Sequence, residues 1–406
     1  MSRPRHHSPR AGLRHTGTHP GEDVLPRRDA PTLPPGGIEI TSIKQLDAAL
    51  AQGVPPSRLR LQDLDLRAYH GLDLLTDLDE LVVLGGELSP LLDEHLRNQG
   101  AIVFPDLPDA APIRPYRATL YTAADLYRGL DRRAGYGGTP DGLAYTWYRE
   151  RLESPDVFAS LLQAIHDDSI SDALAEFVAG RSVVGVMGGH ALARGTKEYA
   201  DAARLGHRLA EAGHLVATGG GPGAMEAANL GAAARTSRAL GSALAALAAV
   251  PGFVPDVAAW VRCGIRARAL LTDPAAPGDP ANTSAEPRSL GVPTWYYGHE
   301  PPNVFADGIA KYFSNAIRED ILLAISGAGV VVMPGAAGTV QEIFQVATRA
   351  YYTHTDTQPA PLILVGRAHW TDRIPVWPAL QALARGRAME RAIHLVDHPS
   401  EAVLLL

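Results

Sequence analysis

From residue 183 onward the chain alternates short runs of consecutive apolar residues with longer segments whose apolar positions recur every three or four residues. The runs suit strands buried on both faces of a parallel sheet, and the periodic segments suit the helices that cover it. Strands are predicted over 183–187, 214–218, 292–297, 330–333, 362–365 and 394–396. Helices are predicted over 197–212, with Tyr199, Ala203, Gly206 and Leu209 along one side, and over 224–234, 253–271 and 307–326. The last of these is expected to bury Ile309, Phe313, Ile317, Ile321 and Ile325. A further helix opens at Gly338 and Thr339, with Val340, Ile343, Phe344, Ala347, Ala350 and Tyr351 on one stripe. Strand, turn and helix in this alternation make right-handed parallel units, hence an α/β fold.

Upstream the pattern differs. Residues 1–36 are rich in Arg, His, Pro and Gly without periodicity, and are read as a disordered tail. Its His6, His7, His15 and His19 have no fixed geometry to bind a metal. Residues 37–112 carry a compact α/β pattern and are read as a small accessory domain. Residues 113–180 form a mostly helical connecting segment whose many tyrosines are taken as packing, and the segment 135–142 (GYGGTPDG) breaks it in two. Residues 181–406 make the domain in which chemistry is expected.

Within that domain two strands run directly into glycine-rich turns. The first is Gly219-Gly220-Gly221-Pro222-Gly223, with Met225 and Glu226 following; the second is Pro334-Gly335-Ala336-Ala337-Gly338-Thr339, with Glu342 beyond it. A strand, a glycine turn and a helix start present unpaired N–H groups and the positive end of the helix dipole to an anion. Thr339 and Glu342 also fit a capping box, T-x-x-E, in which Glu342 would bond back to its own helix start in the first turn. Glu226 has a parallel explanation, since a carboxylate near a helix start is favoured by the dipole alone. Both turns follow strands of one parallel sheet and so fall on its ligand-binding edge, which favours a nucleotide or sugar-phosphate site. Arg318, flanked by Glu319 and Asp320, suits a solvated helix face, with the ligand edge as the alternative.

Composition narrows the partners. Across 406 residues the net charge is −7, which argues against a general nucleic-acid or membrane surface but leaves room for a small anion. Cys263 is the single cysteine, so neither an intrachain disulfide nor a multi-cysteine zinc site is expected. No apolar run approaches the ~18 residues that span a bilayer, and the basic N-terminus lacks the apolar segment of a secretory signal. The expected location is the cytoplasm.

Taken together these residues resemble the LOG family, Rossmann-like proteins once mislabelled lysine decarboxylases. The resemblance covers about 181–406 and rests on Pro334 to Glu342 for a PGGxGTxxE turn, Arg318 on the preceding helix, and Gly219 to Met225 for a GGGxxGxM turn. Gly188-Gly189-His190 and Glu300-Pro301-Pro302-Asn303 make it most similar to the bacterial pyrimidine/purine nucleotide 5'-monophosphate nucleosidases. The resemblance implies a Rossmann-like parallel sheet with helices on both faces and a homodimer or higher homo-oligomer. The implied reaction is hydrolysis of the N-glycosidic bond of a nucleoside 5'-monophosphate to free base and ribose 5-phosphate. It further implies Glu342, Glu226 and Arg318 as catalytic residues. The nucleotide would be held by Gly188, Gly189, His190, Gly219, Gly220, Gly221, Gly223, Met225, Pro334, Gly335, Ala336, Gly338 and Thr339, with no cofactor and no metal. One departure stands out: the second glycine of PGG is Ala336 here. That substitution favours an alternative, a non-catalytic nucleotide-binding sensor or carrier on the same fold. An oxidoreductase fits poorly, because the turn after Met187 lacks G-x-G-x-x-G.

Overall fold

Two parallel sheets organise the chain. In this computed structural model the described residues are 38–104, 112–271, 286–298, 300–353 and 358–406. The expected tail over 1–36, with its histidines, lies outside them.

The smaller sheet runs in the order β1 (Ile38–Ile40), β2 (Leu59–Gln62), β3 (Val82–Leu84) and β4 (Ile102–Val103), all parallel. Its helices Ile43–Ala51 and Pro90–Asn98 start at Ser42 and Ser89, whose hydroxyls accept the N–H of Gln45 and Leu92. Leu46, Leu59, Leu61, Leu66 and Leu96 are fully buried in a core of their own.

The larger sheet has seven strands in the order β11-β10-β9-β5-β6-β7-β8. They are β5 (Val183–Met187), β6 (Leu215–Thr218), β7 (Ser289–Gly291), β8 (Gly308–Ile309), β9 (Gly329–Val332), β10 (Leu362–Val365) and β11 (Ile393–Val396), and every pairing is parallel. Residues of β5, β6, β9 and β10 are buried throughout, as continuous apolar runs with helices on both faces require. This is a Rossmann-like α/β fold. From β5 the chain proceeds outward through β6, β7 and β8, then returns to the other side of β5 with β9. The reversal puts the switch point between β5 and β9, and a crevice opens at the carboxyl ends of strands on either side of such a point. The helices Pro140–Glu153 and Val157–Val178 pack into the same core as this sheet, and Tyr121 bridges to Ile309 on β8. Arg60 of β2 ties the small sheet to that segment through Asp172 (2.7 Å) and Asp168 (3.1 Å).

Two expectations need correction. The strand expected over 292–297 is instead β7, ending at Gly291, because Pro293 has no N–H to continue the ladder; Thr294 makes only an isolated bridge to Tyr312. The helix expected over 307–326 is only Asn315–Ile325, capped by the Ser314 hydroxyl on the N–H of Ile317. Residues Gly308–Ile309 form the edge strand β8 instead. The later start changes which residues face inward: Arg318, Glu319, Leu322, Leu323 and Ile325 are buried, whereas Ile317 is exposed.

Candidate active site

Three turns leave the carboxyl ends of β9, β5 and β6 side by side. Strands neighbour each other at about 4.8 Å, so the turns after β9 and β6 lie roughly 10 Å apart. The middle turn, Gly188-Gly189-His190, joins its neighbours: Gly189 donates its N–H to the Pro334 carbonyl (3.2 Å), and its own carbonyl accepts from Ala224 N–H (3.1 Å).

The turn after β6 is closed. Residues Gly219 to Gly223 are all buried. Gly223 has φ +74, and a β-carbon there would strike the carbonyls of Gly189 and His190. Asn303 donates its N–H to the Gly220 carbonyl (2.8 Å) and its side-chain amide to Asn229 (2.9 Å), while Gly220 N–H binds the Thr218 hydroxyl (3.0 Å). Met225 lies under the turn, its sulfur against Gly219 and its terminal methyl against Gly221. The Gly189 carbonyl therefore takes the first N–H of helix Ala224–Ala233, and the buried turn packs the His190 carbonyl against Gly223.

Glu226 is not on this edge in any usable sense. It is buried in a two-pronged ion pair with Arg194, Nε to Oε2 at 3.0 Å and Nη2 to Oε1. Arg194 in turn donates to the Trp260 carbonyl (3.2 Å) and lies over the Trp260 ring at 4.5 Å. With both carboxylate oxygens taken, Glu226 holds the loop after β5 to the helix after β6, and the catalytic role expected for it is not carried further.

The turn after β9 is open. Pro334, Ala336, Ala337 and Gly338 are exposed, and helix Ala337–Tyr351 begins without any side-chain cap on its first N–H groups. Thr339 is buried, its hydroxyl turned toward Gly335, where a β-carbon would collide with it. His369 approaches from the segment after β10, with Nε2 3.0 Å from the Gly335 carbonyl. Ala336 has φ −122 and ψ −147, so the position does not take the positive-φ conformation that calls for glycine. The cap residue is Ala336 rather than Thr339, so the expected capping box does not form. Glu342 therefore sits in the second turn of the helix, not the first.

Glu342 and Arg318 meet in the crevice. Their closest charged atoms are 3.7 Å apart, with 9% of the Arg318 side chain and 16% of the Glu342 side chain left exposed. Both terminal nitrogens of Arg318 lie 3.9 Å from where a Gly219 β-carbon would be, so the guanidinium spans from one turn to the other. Its Nε is buried and has no partner. Burial pushes the Glu342 carboxyl up to about 7; Arg318 opposes the shift, and Glu319 and Glu300 add to it by repulsion. The sequence pattern placed Arg318 on a solvated face, and the shorter helix turns it inward.

Two further carboxylates belong to this group. Glu319 is buried and accepts the side-chain amides of Gln341 (2.7 Å) and Asn315 (2.9 Å). Glu300 packs against Gly221 and pairs with His190, Nδ1 to Oε1 at 3.1 Å. The Glu300-Pro301-Pro302-Asn303 run was the sequence signal for the second; nothing marked Glu319 beyond its place beside Arg318. Among the described residues no three His, Cys, Asp or Glu side chains are grouped to hold a metal ion.

Two family models match the C-terminal part of the chain. Residues 181–247 match the model of the SLOG cluster 4 family, and residues 280–406 match a model described as possible lysine decarboxylase. Among solved structures, the molybdenum cofactor binding protein from the phototrophic bacterium Rippkaea orientalis is similar at 16% identity with a TM-score of 0.33. That match covers 56% of this chain and 96% of the other. No curated protein matches the chain. Among the described residues no helix is long and apolar enough to cross a membrane.

Proposed function

The chain belongs, through its C-terminal domain, to the LOG family, and from that premise we propose that it hydrolyses the N-glycosidic bond of a nucleoside 5'-monophosphate. The products are free base and ribose 5-phosphate, and the reaction is cytoplasmic. The observation that carries this reading is Glu342, buried beside Arg318 with its carboxyl raised to about 7, next to an uncapped helix start. The phosphate binds the open turn from Gly335 to Thr339, where free N–H groups and the helix dipole favour a dianion. The spare Nε of Arg318 supplies a further donor.

A phosphate fixed there acts as a handle for the ribose, and its binding energy goes into orienting the anomeric carbon. Breaking the glycosidic bond builds oxocarbenium character on that carbon, which the ionised Glu342 stabilises. With a pKa near neutrality the same carboxylate takes a proton from the attacking water. Burial holds that pKa up against Arg318, and Glu319 and Glu300 add to it by repulsion, so the two glutamates act as positioning residues for its charge state.

The test is direct. The purified full chain is incubated with the common nucleoside monophosphates and with the matching nucleosides, and free base and ribose 5-phosphate are measured. Release is expected from at least one monophosphate, with the nucleoside a far poorer substrate. Equal rates on both would remove the phosphate handle from the mechanism. Binding of monophosphates with no release would identify a binding protein on this fold.

A further inference from the structure

A separate cavity of about 370 Å³ lies away from the switch point, between the helical segment and the β8 side of the large sheet. Its lining includes Arg114, Arg117 and Arg128 with one acid, Asp125, and the aromatic side chains Tyr121 and Trp295. Arg114 also lies 3.7 Å from Asp63 outside the lining, so three guanidiniums meet two carboxylates and the pocket keeps a positive balance in a chain whose net charge is −7. The acid is already engaged: Asp125 accepts the N–H (2.9 Å) and hydroxyl (2.9 Å) of Thr122 in a capping box. It lies 3.7 Å from Arg117, too far for a hydrogen bond.

The walls are fixed in advance. Arg117 lies over the Tyr121 ring at 3.8 Å and donates to the carbonyls of Thr119 (3.2 Å) and Leu120 (3.4 Å). Tyr121 is bonded to His166 (2.8 Å). Trp295 donates to Asp141 (2.9 Å) and stacks on Phe313 with ring centres 4.4 Å apart. Arg128, by contrast, is exposed and has no ion pair among the described residues. The volume is that of a small-ligand pocket, and preset guanidiniums recognise phosphate or carboxylate oxygens.

We propose that this cavity is a second ligand site, for a small organic anion that carries a planar ring; a nucleotide combines both features. The site is joined to the catalytic edge by the chain itself. Trp295 begins a segment that continues to Glu300 and on to Asn303, whose N–H holds the Gly220 carbonyl at 2.8 Å. Tyr127, adjacent to the cavity's helix, donates to the Pro302 carbonyl in the same segment.

Calorimetry on the full chain with ATP, GTP and inorganic pyrophosphate tests this. Saturable binding of at least one nucleotide is expected, tighter than pyrophosphate because the ring contributes. Arg128→Glu alters an exposed side chain and should fold normally; it is expected to weaken that binding at least about tenfold. Arg114→Glu, also exposed, should act in the same direction. Arg318→Ala, which disables the sheet edge, should leave it unchanged. The proposal is overturned by no saturable binding of any probe, by affinity that Arg128→Glu does not change, or by binding lost in Arg318→Ala. Pyrophosphate binding as tightly as the nucleotides would overturn the ring requirement.

Discussion

After β6 and again after β9 the chain makes the same moves: a buried strand, a glycine turn, and a helix with a glutamate near its start. After β6 the turn is buried, the first helix N–H is taken by the Gly189 carbonyl from the turn after β5, and Glu226 is matched on both oxygens by Arg194. After β9 the turn is exposed, the helix start is uncapped, and Glu342 faces an arginine at 3.7 Å with two more glutamates nearby. The first unit is finished within the protein. The second leaves the first N–H groups of its helix without a side-chain cap, on an exposed turn. A satisfied buried pair holds structure, whereas a buried carboxylate without a close partner has its pKa moved to where chemistry needs it.

Breaking the satisfied pair should have the largest effect. Glu226→Ala leaves the Arg194 guanidinium buried and uncompensated, and is expected to cost about 3–5 kcal/mol of stability by urea unfolding. A loss below about 1 kcal/mol would mean the pair is not what joins the two elements.

Glu342→Gln should behave oppositely. Turnover falls at least about a hundredfold, because the carboxylate is removed from the reacting centre. Stability changes with pH, and its sign follows from the raised pKa. A carboxyl at about 7 in the fold and 4.5 outside it binds its proton more tightly when folded. Wild-type stability therefore declines as pH rises from 4.5 through about 7, by up to about 3 kcal/mol. Glutamine carries no such penalty, so thermal melting should show the variant more stable than wild type above neutrality and equal to it in acid. A variant destabilised at alkaline pH would show that Arg318 holds Glu342 as a structural partner.

A smaller effect sharpens the same contrast. Turnover that needs ionised Glu342 rises with pH through about 7. Glu319→Gln removes a neighbouring negative charge, and the acid limb of the rate profile should move down by up to about one pH unit. Movement the other way would mean that Glu319 acts through its bonds to Gln341 and Asn315 and not through its charge. The smallest effect is expected from Ala336→Gly. Ala336 is exposed and its φ is negative, so monophosphate affinity should tighten by less than about 1 kcal/mol, with stability nearly unchanged. A gain above about tenfold in Kd would show the methyl group obstructing the phosphate.

The strand runs of the large sheet were legible because strands covered on both faces must be apolar throughout, and β5, β6, β9, β10 and β11 all lie where the pattern put them. Legibility failed near Pro293 and Phe313. There Ile309 and Phe313 share a helical spacing with Ile317, yet the first two are buried on an edge strand and its extension. Periodicity records which residues are buried and not by which element. The pattern alone favoured a solvated face for Arg318 and left the ligand edge as the alternative; the helix Asn315–Ile325 carries Arg318 inward.

The sequence by itself determined the strands and helices that flank the two glycine turns, and the position of those turns on a single sheet edge, since these follow from local patterning and right-handed connection. Only the tertiary structure decided which turn is open and which glutamate is matched by a two-pronged ion pair. Glu226 is neutralised by an arginine 32 residues upstream, and Glu342 is perturbed by Glu300, Arg318 and Glu319 from other elements. Desolvation and charge pairing depend on distances across space, and residues far apart in the chain set them.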